Sequence, residues 1–359
     1  MPHGHHTGVL LVNLGTPDAP QTPEVRRYLR EFLMDGRVID IPAPARWALV
    51  NLIIGPIRAP KSARAYQKVW MDEGSPLLVH GERLRDEVAK QITEWPVALA
   101  MRYGNPSLQQ GIDTLQRAGC DHLVVCPLYP QYASSTTGST VEAVYRAVQS
   151  QWNTPFISVV PPFYAHPSFI EAFAEVGRPV LDALEPDHVL FSFHGLPQRH
   201  LRKSDPSGSH CTTTDCCERA IASGGQHGQQ CYRAQCAVTA RLIAAHYGLP
   251  EDGWSFSFQS RLGQEEWIKP YTDDHIEQLA RDGVKRLAVF CPAFVADCLE
   301  TIEEIGMEAA ETFKEAGGDA FALVPSLNAS PRWVETVCEL VRATAAPRVR
   351  LPLAPASPG

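Results

Sequence analysis

A histidine and an acidic segment each stand where an apolar run of this 359-residue chain stops and a turn begins. His194 ends the apolar run 190–193, and Asp297-Cys298-Leu299-Glu300 begins shortly after the apolar run 286–291. In an open α/β sheet the carboxyl ends of the strands form the ligand crevice, so two strands would bring these segments together. A neutral imidazole accepts protons near pH 7, and carboxylates bind hard divalent cations. The pair predicts a site for proton transfer and metal binding, although a histidine alone at a strand end is more often structural.

A row of acidic residues follows this segment. Glu300, Glu304 and Glu308 are spaced by four residues and would share one face of an α-helix, with Asp297 placed to cap it. Like charges at this spacing repel one another. The spacing alone favours a solvated face, with Glu303 as a further exposed charge that lies off the acidic row; the other interpretation is a functional row of carboxylates.

Composition excludes several classes of protein. The net charge of −8 argues against general binding of nucleic acid, and the hydrophobic and charged fractions of 44% and 20% are ordinary for a soluble globular protein. No apolar stretch is long enough for a transmembrane helix, and the N-terminus does not resemble a secretory signal. We therefore expect a cytoplasmic protein whose thiols stay reduced.

Short runs rich in Val, Leu and Ile alternate with helical patterns, which indicates parallel sheets covered by helices on both faces. The predicted strands are 8–13, 96–102, 123–126 and 156–160 in the first half, and 188–193, 254–259, 286–291 and 320–324 in the second. This pattern predicts an α/β fold of two similar doubly wound domains, at 1–160 and 161–335, that bind a ligand in the cleft between them.

Two helices of the second half have clear boundaries in the sequence. One is predicted at 236–247, ended by Gly248, and the other at 300–313. The tail 345–359 is rich in Pro and Ala without periodicity, so we expect it to be flexible.

Five of the ten cysteines crowd into the Gly- and Ser-rich segment 203–236. They are Cys211, Cys216, Cys217, Cys231 and Cys236. Such short gaps in a reducing compartment favour a metal centre over free thiols. Both a tetrahedral zinc site and a [2Fe–2S] cluster take four thiolates, so four of the five would suffice for either.

Several segments resemble the ferrochelatases, which insert ferrous iron into a porphyrin. The resemblance extends from about residue 8 to residue 328. The segments that carry it are Val12-Asn13-Leu14-Gly15-Thr16-Pro17, Pro127-Leu128-Tyr129-Pro130-Gln131-Tyr132, Ser135-Thr136-Thr137-Gly138, Phe193-His194-Gly195-Leu196-Pro197 and Phe258-Gln259-Ser260-Arg261-Leu262-Gly263. It implies the two-lobed chelatase fold and a cleft in which ferrous iron and protoporphyrin IX form protohaem.

The resemblance also implies roles for the two strand-end segments. His194 would accept the pyrrole protons or contact the metal, and Glu300 would be its catalytic partner on the opposite side. Glu304 and Glu308 would continue a row of acids that contacts the substrate iron. Cys298 stands where many members carry histidine, so it is either a soft metal contact or a packed small residue.

Further positions match residues that line the porphyrin cleft in the family. These predicted substrate contacts are Asn13, Arg58, Ser75, Arg102, Tyr103 and Trp267. The broken apolar segment 38–61 is either a buried helix or, as the resemblance implies, a lip at the mouth of the cleft that dips into a membrane surface. Arg46, Arg58 and Lys61 flank its apolar run as interfacial cations would, which favours the lip.

Some members of this family carry a [2Fe–2S] cluster in an internal insertion at the place of the cysteine-rich segment. The leading ligand set is Cys211, Cys216, Cys217 and Cys231, with Cys236 as an alternative because two adjacent ligands are sterically awkward. We expect a cytoplasmic enzyme, peripheral to the inner membrane, as a monomer or homodimer. The alternatives are a coproporphyrin or cobalt chelatase and, from another class, an iron–sulfur electron carrier or sensor.

Overall fold

The computed structural model describes residues 6–208, 211, 215–222, 230–261, 263 and 265–345. Within these residues the strands form two four-stranded parallel sheets. The first has the order β2-β1-β3-β4, with β1 at Thr7–Thr16, β2 at Val97–Gly104, β3 at His122–Pro127 and β4 at Phe156–Val159. The long β1 pairs with β2 from Val9 to Thr16, which brings Asn13 beside Met101 towards the carboxyl end of the sheet.

The second sheet repeats this arrangement with the order β6-β5-β7-β8. Its strands are β5 at His188–His194, β6 at Trp254–Gln259, β7 at Arg286–Phe290 and β8 at Ala320–Leu323. All eight predicted strands are present, and the predicted α/β fold class is confirmed. The central strands are buried almost throughout, as expected for strands covered by helices on both faces.

Helices connect the strands and cover the sheets. Those of the first half are α1 at Thr22–Leu33, α2 at Ala43–Ala48, α3 at Gly55–Val69, α4 at Pro76–Gln91, α5 at Leu108–Arg117 and α6 at Ser139–Val148. They are followed by α7 at Pro167–Leu184, α8 at Gln198–Ser204, α9 at Cys216–Ala222, α10 at Tyr232–Tyr247, α11 at Thr272–Arg281, α12 at Ala310–Glu315 and α13 at Pro331–Ala345. Within the described part of the chain, three segments are π-helical: π1 at Leu49–Ile54, π2 at Ser134–Gly138 and π3 at Glu300–Ala309.

One hydrophobic core joins the two sheets. It contains Val9 of β1 and Phe191 of β5 together with Trp333 of α13, all of which are fully buried. The Trp333 ring lies 5.6 Å from Phe163 and 6.1 Å from Phe169 of α7. Because α7 and α13 contribute to this shared core, they fix how the carboxyl ends of the two sheets face each other.

The predicted α-helix at 300–313 is instead π3 followed by the short α12. A π-helix closes i→i+5 hydrogen bonds and has more residues per turn than an α-helix, so residues spaced by four still lie near one face. Such segments occur frequently at functional sites.

Asp297 does not cap this helix as predicted. Its carboxylate accepts the backbone N–H of Ser326 at 3.1 Å and the side-chain amide of Asn328 at 2.7 Å. These donors lie in the loop after β8. They bind the Asp297 carboxylate, which sequence spacing alone had predicted to cap the helix. Asp297 therefore anchors the start of π3 to the edge of the second sheet.

The other predicted helix, α10, ends at Tyr247 before Gly248, whose φ of 66° allows the left-handed turn. It starts one turn earlier than predicted, so Cys236 lies inside the helix. The tail 346–359 lies outside the described residues. No helix among those that are described is long and apolar enough to span a bilayer.

Candidate active site

His194 lies at the carboxyl end of β5, with its ring between two aromatic side chains. The ring centroid is 6.3 Å from that of Trp267 and 6.2 Å from that of Phe294. Nδ1 is 2.6 Å from the carbonyl oxygen of Gly195, and since a carbonyl only accepts, Nδ1 carries the proton. Burial lowers the pKa of His194, and the Glu300 carboxylate opposes this effect. The neutral ring therefore keeps an unprotonated Nε2 that can accept a proton or bind a metal.

Glu300 opens π3, and its carboxylate faces both His194 and the thiol of Cys298. Cys298 is 5% exposed and packs against Leu77. Burial raises the pKa of Cys298, and the charge of Glu300 and a hydrogen bond to it raise the pKa further. The sulfur is thus protonated and donates to the carboxylate. The side-chain amide of Gln259 donates to the backbone carbonyl of Glu300 at 3.0 Å, which ties π3 to β6.

Glu304 is the second carboxylate that π3 turns towards β6. Ser260 donates its backbone N–H to Oε1 and its hydroxyl to Oε2, each at 2.6 Å. Burial raises the pKa of Glu304 to about 7, against the opposing effect of these hydrogen bonds and with a further contribution from Glu300. Near neutral pH this carboxyl group therefore takes up or releases a proton readily.

The three glutamates of the predicted row differ in their surroundings. Glu308 is exposed beyond Glu304. Glu303, predicted to be an exposed charge, is instead 8% exposed and lies 2.7 Å from Nζ of Lys68. That prediction is wrong because α3 packs against π3 on this side, and Lys68 of α3 compensates the charge of Glu303.

The first sheet contributes buried polar groups on the other side. Asn13, at the end of β1, is 6% exposed, and its side-chain oxygen accepts the backbone N–H of Leu14 at 2.8 Å. Ser75 is 3% exposed and accepts the hydroxyl of Thr16 at 2.6 Å. Thr16 is in turn hydrogen-bonded to the hydroxyl of Tyr66. These contacts form a continuous buried chain from α4 through β1 to α3.

Tyr66 and Tyr28 extend this chain towards Glu300, and sequence reasoning missed both. The two hydroxyls share a hydrogen bond. Burial raises the pKa of each tyrosine, and the Glu300 carboxylate adds to the effect. Both lie inside helices, where an aromatic residue is typical of core packing, so their types and spacing gave no signal of a polar role.

Arg102 and Tyr103 lie at the end of β2 and bind the same carboxylate. Arg102 lies 2.6 Å and the Tyr103 hydroxyl 2.9 Å from Oδ2 of Asp35, and Arg102 also donates to the Ser139 hydroxyl at 2.8 Å. The Arg102 guanidinium lies 4.4 Å from the centre of the Tyr103 ring. These contacts make the pair part of a rigid wall in which Asp35 compensates the charge of Arg102.

The segment 38–61 exposes its apolar side chains. Trp47, Leu52, Ile53 and Ile57 are between 49% and 69% exposed, whereas Val50 alone among the residues of π1 is fully buried. The alternative of a buried helix does not describe this segment. It forms an apolar surface, hereafter the lip, that consists of α2, π1 and the start of α3.

Two arginines of the lip differ in what they do. Arg46 donates to the carbonyl oxygens of Ile39 and Ile41 at 3.0 and 2.9 Å, so it fastens the chain that enters the lip instead of serving as an interfacial cation. Arg58 has an exposed side chain, although the protein groups around it partly desolvate the guanidinium and lower its pKa. The Glu304 carboxylate opposes that shift, so Arg58 lies near enough to Glu304 of π3 for the two charges to attract each other.

The clustered cysteines separate into two environments. Cys217 and Cys231 form a small buried cluster against which Cys216 packs. The thiol of Cys231 is hydrogen-bonded to those of Cys211 and Cys217. Cys236 is instead fully buried in the main core, with the hydroxyl of Tyr232 as its hydrogen-bonding partner.

Polar contacts support the cysteine cluster. Arg233 places Nη1 2.8 Å from the sulfur of Cys217, and Asp205 accepts the backbone N–H of Cys211 at 2.9 Å. In the part of the chain that the structure describes, no three His, Cys, Asp or Glu side chains converge in an arrangement that could hold a metal ion. In this structure the thiols of Cys211, Cys217 and Cys231 are grouped through hydrogen bonds.

Comparison with known proteins relates this arrangement to one family. The family model for ferrochelatase matches residues 6–345. The chain is 49% identical to a ferrochelatase of Pseudomonas fluorescens (strain Pf0-1), over 92% of this chain and 97% of that protein. It is 46% identical to a ferrochelatase of Coxiella burnetii (strain CbuG_Q212), over 93% of each chain.

Solved structures of chelatases share the fold at low sequence identity. SirB from Bacillus subtilis with Fe3+ superimposes with a TM-score of 0.55 at 13% identity, over 95% of this chain and 96% of that one. The sirohydrochlorin chelatase SirB from Bacillus subtilis subspecies spizizenii, in complex with cobalt, gives a TM-score of 0.53 at 10% identity, over 95% of each chain. These structures show the fold alone, whereas the family model and the curated relatives show that the chain belongs to the ferrochelatase family, the lyases that insert iron into porphyrin in haem biosynthesis.

Proposed function

We propose that this ferrochelatase inserts ferrous iron into protoporphyrin IX with His194 as the acceptor of the pyrrole protons. Each insertion replaces two pyrrole N–H protons by one Fe²⁺, so a base must lie beside the macrocycle. The observation that carries the proposal is the neutral His194 ring, whose Nδ1–H is taken by the Gly195 carbonyl and whose Nε2 is left as the base. Its place between Trp267 and Phe294 suits a flat aromatic substrate.

Glu300 and Glu304 would contact the iron and carry protons away. Ferrous iron is a cation that carboxylate oxygens bind well, and two neighbouring carboxylates offset its cost of dehydration. Because the pKa of Glu304 is about 7, this group can accept a proton after turnover and release it to solvent. Cys298, protonated and bonded to Glu300, would act as a packed donor in this scheme and not as an iron ligand. Exposed Glu308 would be the entry point of the acidic path.

The porphyrin would lie between the two sheets with its propionates near the lip. Asn13, Ser75 and Trp267 would contact the macrocycle, while Arg102 and Tyr103 shape the wall through Asp35. Arg58 is the better candidate for a propionate partner, because it is exposed at the lip whereas Arg102 is already paired. The apolar lip would rest on a membrane surface, so the enzyme would be peripheral to the bilayer that supplies its apolar substrate.

The cysteine cluster would hold a [2Fe–2S] centre through Cys211, Cys216, Cys217 and Cys231. Three of these thiols are already hydrogen-bonded to one another, and Cys216 packs against the same cluster. The hydrogen bond with Cys231 and burial raise the pKa of Cys217, and the positive charge of Arg233 partly opposes this effect. Such a centre would carry one electron or would simply crosslink the segment between β5 and β6. Zinc at the same thiols is the alternative.

An anaerobic insertion assay tests the proposed reaction. Ferrous iron is offered with protoporphyrin IX and with coproporphyrin III in parallel, and cobalt(II) replaces iron in a third arm. Faster turnover with iron and protoporphyrin IX supports the proposal, whereas a preference for coproporphyrin III or cobalt would replace its substrate. If the porphyrin absorbance does not change when the protein is titrated in, the protein is better described as an iron–sulfur carrier or sensor.

A further inference from the structure

The first residue of α10 reaches from the cysteine cluster to the active-site histidine. Tyr232 directly follows Cys231 and is 7% exposed. Its hydroxyl donates to the backbone carbonyl oxygen of His194 at 2.8 Å. The hydroxyl also lies within hydrogen-bonding reach of Cys236, one helical turn further along the same face of α10. Tyr232 therefore bridges a helix of the second half to the end of β5.

The bond from Tyr232 completes the fixation of one peptide group. This peptide group joins His194 to Gly195. Its N–H, that of Gly195, donates to the carbonyl oxygen of Gln259 at 2.8 Å, and its carbonyl oxygen, that of His194, accepts the hydrogen bond from the Tyr232 hydroxyl. The next carbonyl, that of Gly195, accepts Nδ1–H of the imidazole. The orientation of the ring thus depends on a backbone segment that is clamped from two sides, by β6 and by α10.

We propose that Tyr232 is a positioning residue for His194, and that Cys236 orients its hydroxyl. The inference rests on the proposed role of His194 in proton transfer. Without the hydroxyl, the His194 carbonyl loses its donor and the peptide is held only through its N–H bond to Gln259. The peptide can then tilt, which shifts the carbonyl that accepts Nδ1–H and loosens the ring. Nε2 would then spend less time facing the macrocycle, so the chemical step would slow while the porphyrin walls stay in place.

This position also explains the fifth cysteine of the cluster segment. Cys236 is buried in the main core, whereas Cys217 and Cys231 belong to a separate small cluster. Its thiol has a hydrogen-bonding partner in Tyr232, four residues before it in the helix. A role as the partner of Tyr232 therefore accounts for a thiol that the cluster does not need.

The test compares Tyr232→Phe with a matched control in the same helix. Tyr247, the last residue of α10, also donates its hydroxyl to a backbone carbonyl, that of Ala174 at 2.6 Å, but in α7. Tyr247→Phe removes an equivalent bond far from His194. In Tyr232→Phe we expect kcat to fall about ten- to a hundredfold, the cost of a small misplacement of a catalytic group, with the KM for protoporphyrin IX unchanged. Tyr247→Phe should leave both constants as they are.

His194→Ala is assayed beside the two tyrosine variants. It distinguishes a failure of the role proposed for His194 from a failure of the inference about Tyr232. If His194→Ala retains turnover, the role proposed for His194 is wrong and the inference falls with it. If His194→Ala is inactive while Tyr232→Phe turns over normally, or if Tyr232→Phe and Tyr247→Phe slow equally, only the inference is overturned.

A second pair of variants covers the case in which Tyr232→Phe does not fold. Cys236→Ala removes the partner of the hydroxyl and should lower kcat severalfold, and Cys236→Ser restores a donor of similar size and should recover it. Equal turnover in these two variants would overturn the proposal.

Discussion

Ser260 donates both its backbone N–H and its hydroxyl to Glu304, one to each carboxylate oxygen and each at 2.6 Å. Ser260 adopts a φ of 66°, a left-handed conformation that is unfavourable for a residue with a side chain. This conformation aims the N–H at the carboxylate. Two donors favour the charged form of Glu304, yet burial outweighs them and raises its pKa to about 7. The site therefore holds a carboxyl group that titrates near neutral pH.

The raised pKa of Glu304 predicts a pH-dependent loss of stability. The pKa is about 7 in the folded protein against an ordinary value of 4.5. The contribution of Glu304 to stability is therefore fully present below about pH 4.5 and is lost as the pH rises through about 7. Urea unfolding of the wild type and of Glu304→Gln is measured at about pH 6 and about pH 8.5. From the lower to the higher pH, the free energy of unfolding should fall more in the wild type than in Glu304→Gln.

Exposed Glu308 supplies the control for this measurement. Glu308→Gln should follow the wild-type pH dependence, because its carboxylate is solvated in both states. If Glu304→Gln loses as much stability as the wild type between the two pH values, Glu304 does not titrate in this range.

The burial of Glu303 predicts that this residue stabilises the fold and takes no part in turnover. Its carboxylate binds Lys68 and connects π3 to α3. Glu303→Gln and Lys68→Met should each lower the melting temperature, and the double variant should lose less than the sum of the two. The kcat of Glu303→Gln should stay near that of the wild type, whereas Glu300→Gln should lose most activity. Equal losses of kcat in the two glutamine variants would show that both carboxylates face the substrate.

Much of the fold could be predicted because its determinants are local. The central strands are continuous apolar runs bounded by turns, and the four strands of each half pair in the same order. His194 and Glu300 could be placed because they end or follow such runs. The π-helical geometry of π3 could not be predicted, since nothing in its sequence distinguishes it from an amphipathic α-helix. Tyr28 and Tyr66 were missed because their polar role exists only once two helices and π3 meet.

The resemblance identified the residues of the cleft wall but not their partners. Arg102 was predicted to contact the substrate, and only the structure reveals that Asp35 and Ser139 occupy its donors. Glu303 was predicted from spacing to be exposed, and only the packing of α3 buries it. Long-range contacts of this kind depend on tertiary structure and leave no periodic trace in the sequence.

The exposed lip predicts membrane binding that depends on its apolar side chains. Trp47 and Ile53 are 49% and 53% exposed. Burying one such side chain contributes roughly 1.5–3 kcal/mol, so Trp47→Ser combined with Ile53→Ser should greatly reduce sedimentation with liposomes. The KM for protoporphyrin IX presented in liposomes should rise as well.

Trp152 offers a matched control for the lip, because it is 99% exposed but lies in the turn after α6. Trp152→Ser should sediment with liposomes as the wild type does. If the lip variant binds liposomes normally, or if it unfolds, the segment serves the fold and not a membrane.

The grouping of the thiols predicts which cysteines hold the [2Fe–2S] centre. Purified anaerobically, the protein should be reddish-brown with about two irons per chain, the count for one such centre. Cys211→Ser and Cys231→Ser should each abolish the colour, because their thiols belong to the hydrogen-bonded group. Cys236→Ser should keep both colour and iron, since Cys236 lies in the main core beside Tyr232.

Bleaching by Cys236→Ser would place Cys236 in the ligand set in exchange for Cys216 or Cys217. A colourless wild type with one zinc per chain would replace the cluster by a structural zinc site, and a colourless, metal-free and fully active protein would leave the thiols with a packing role alone.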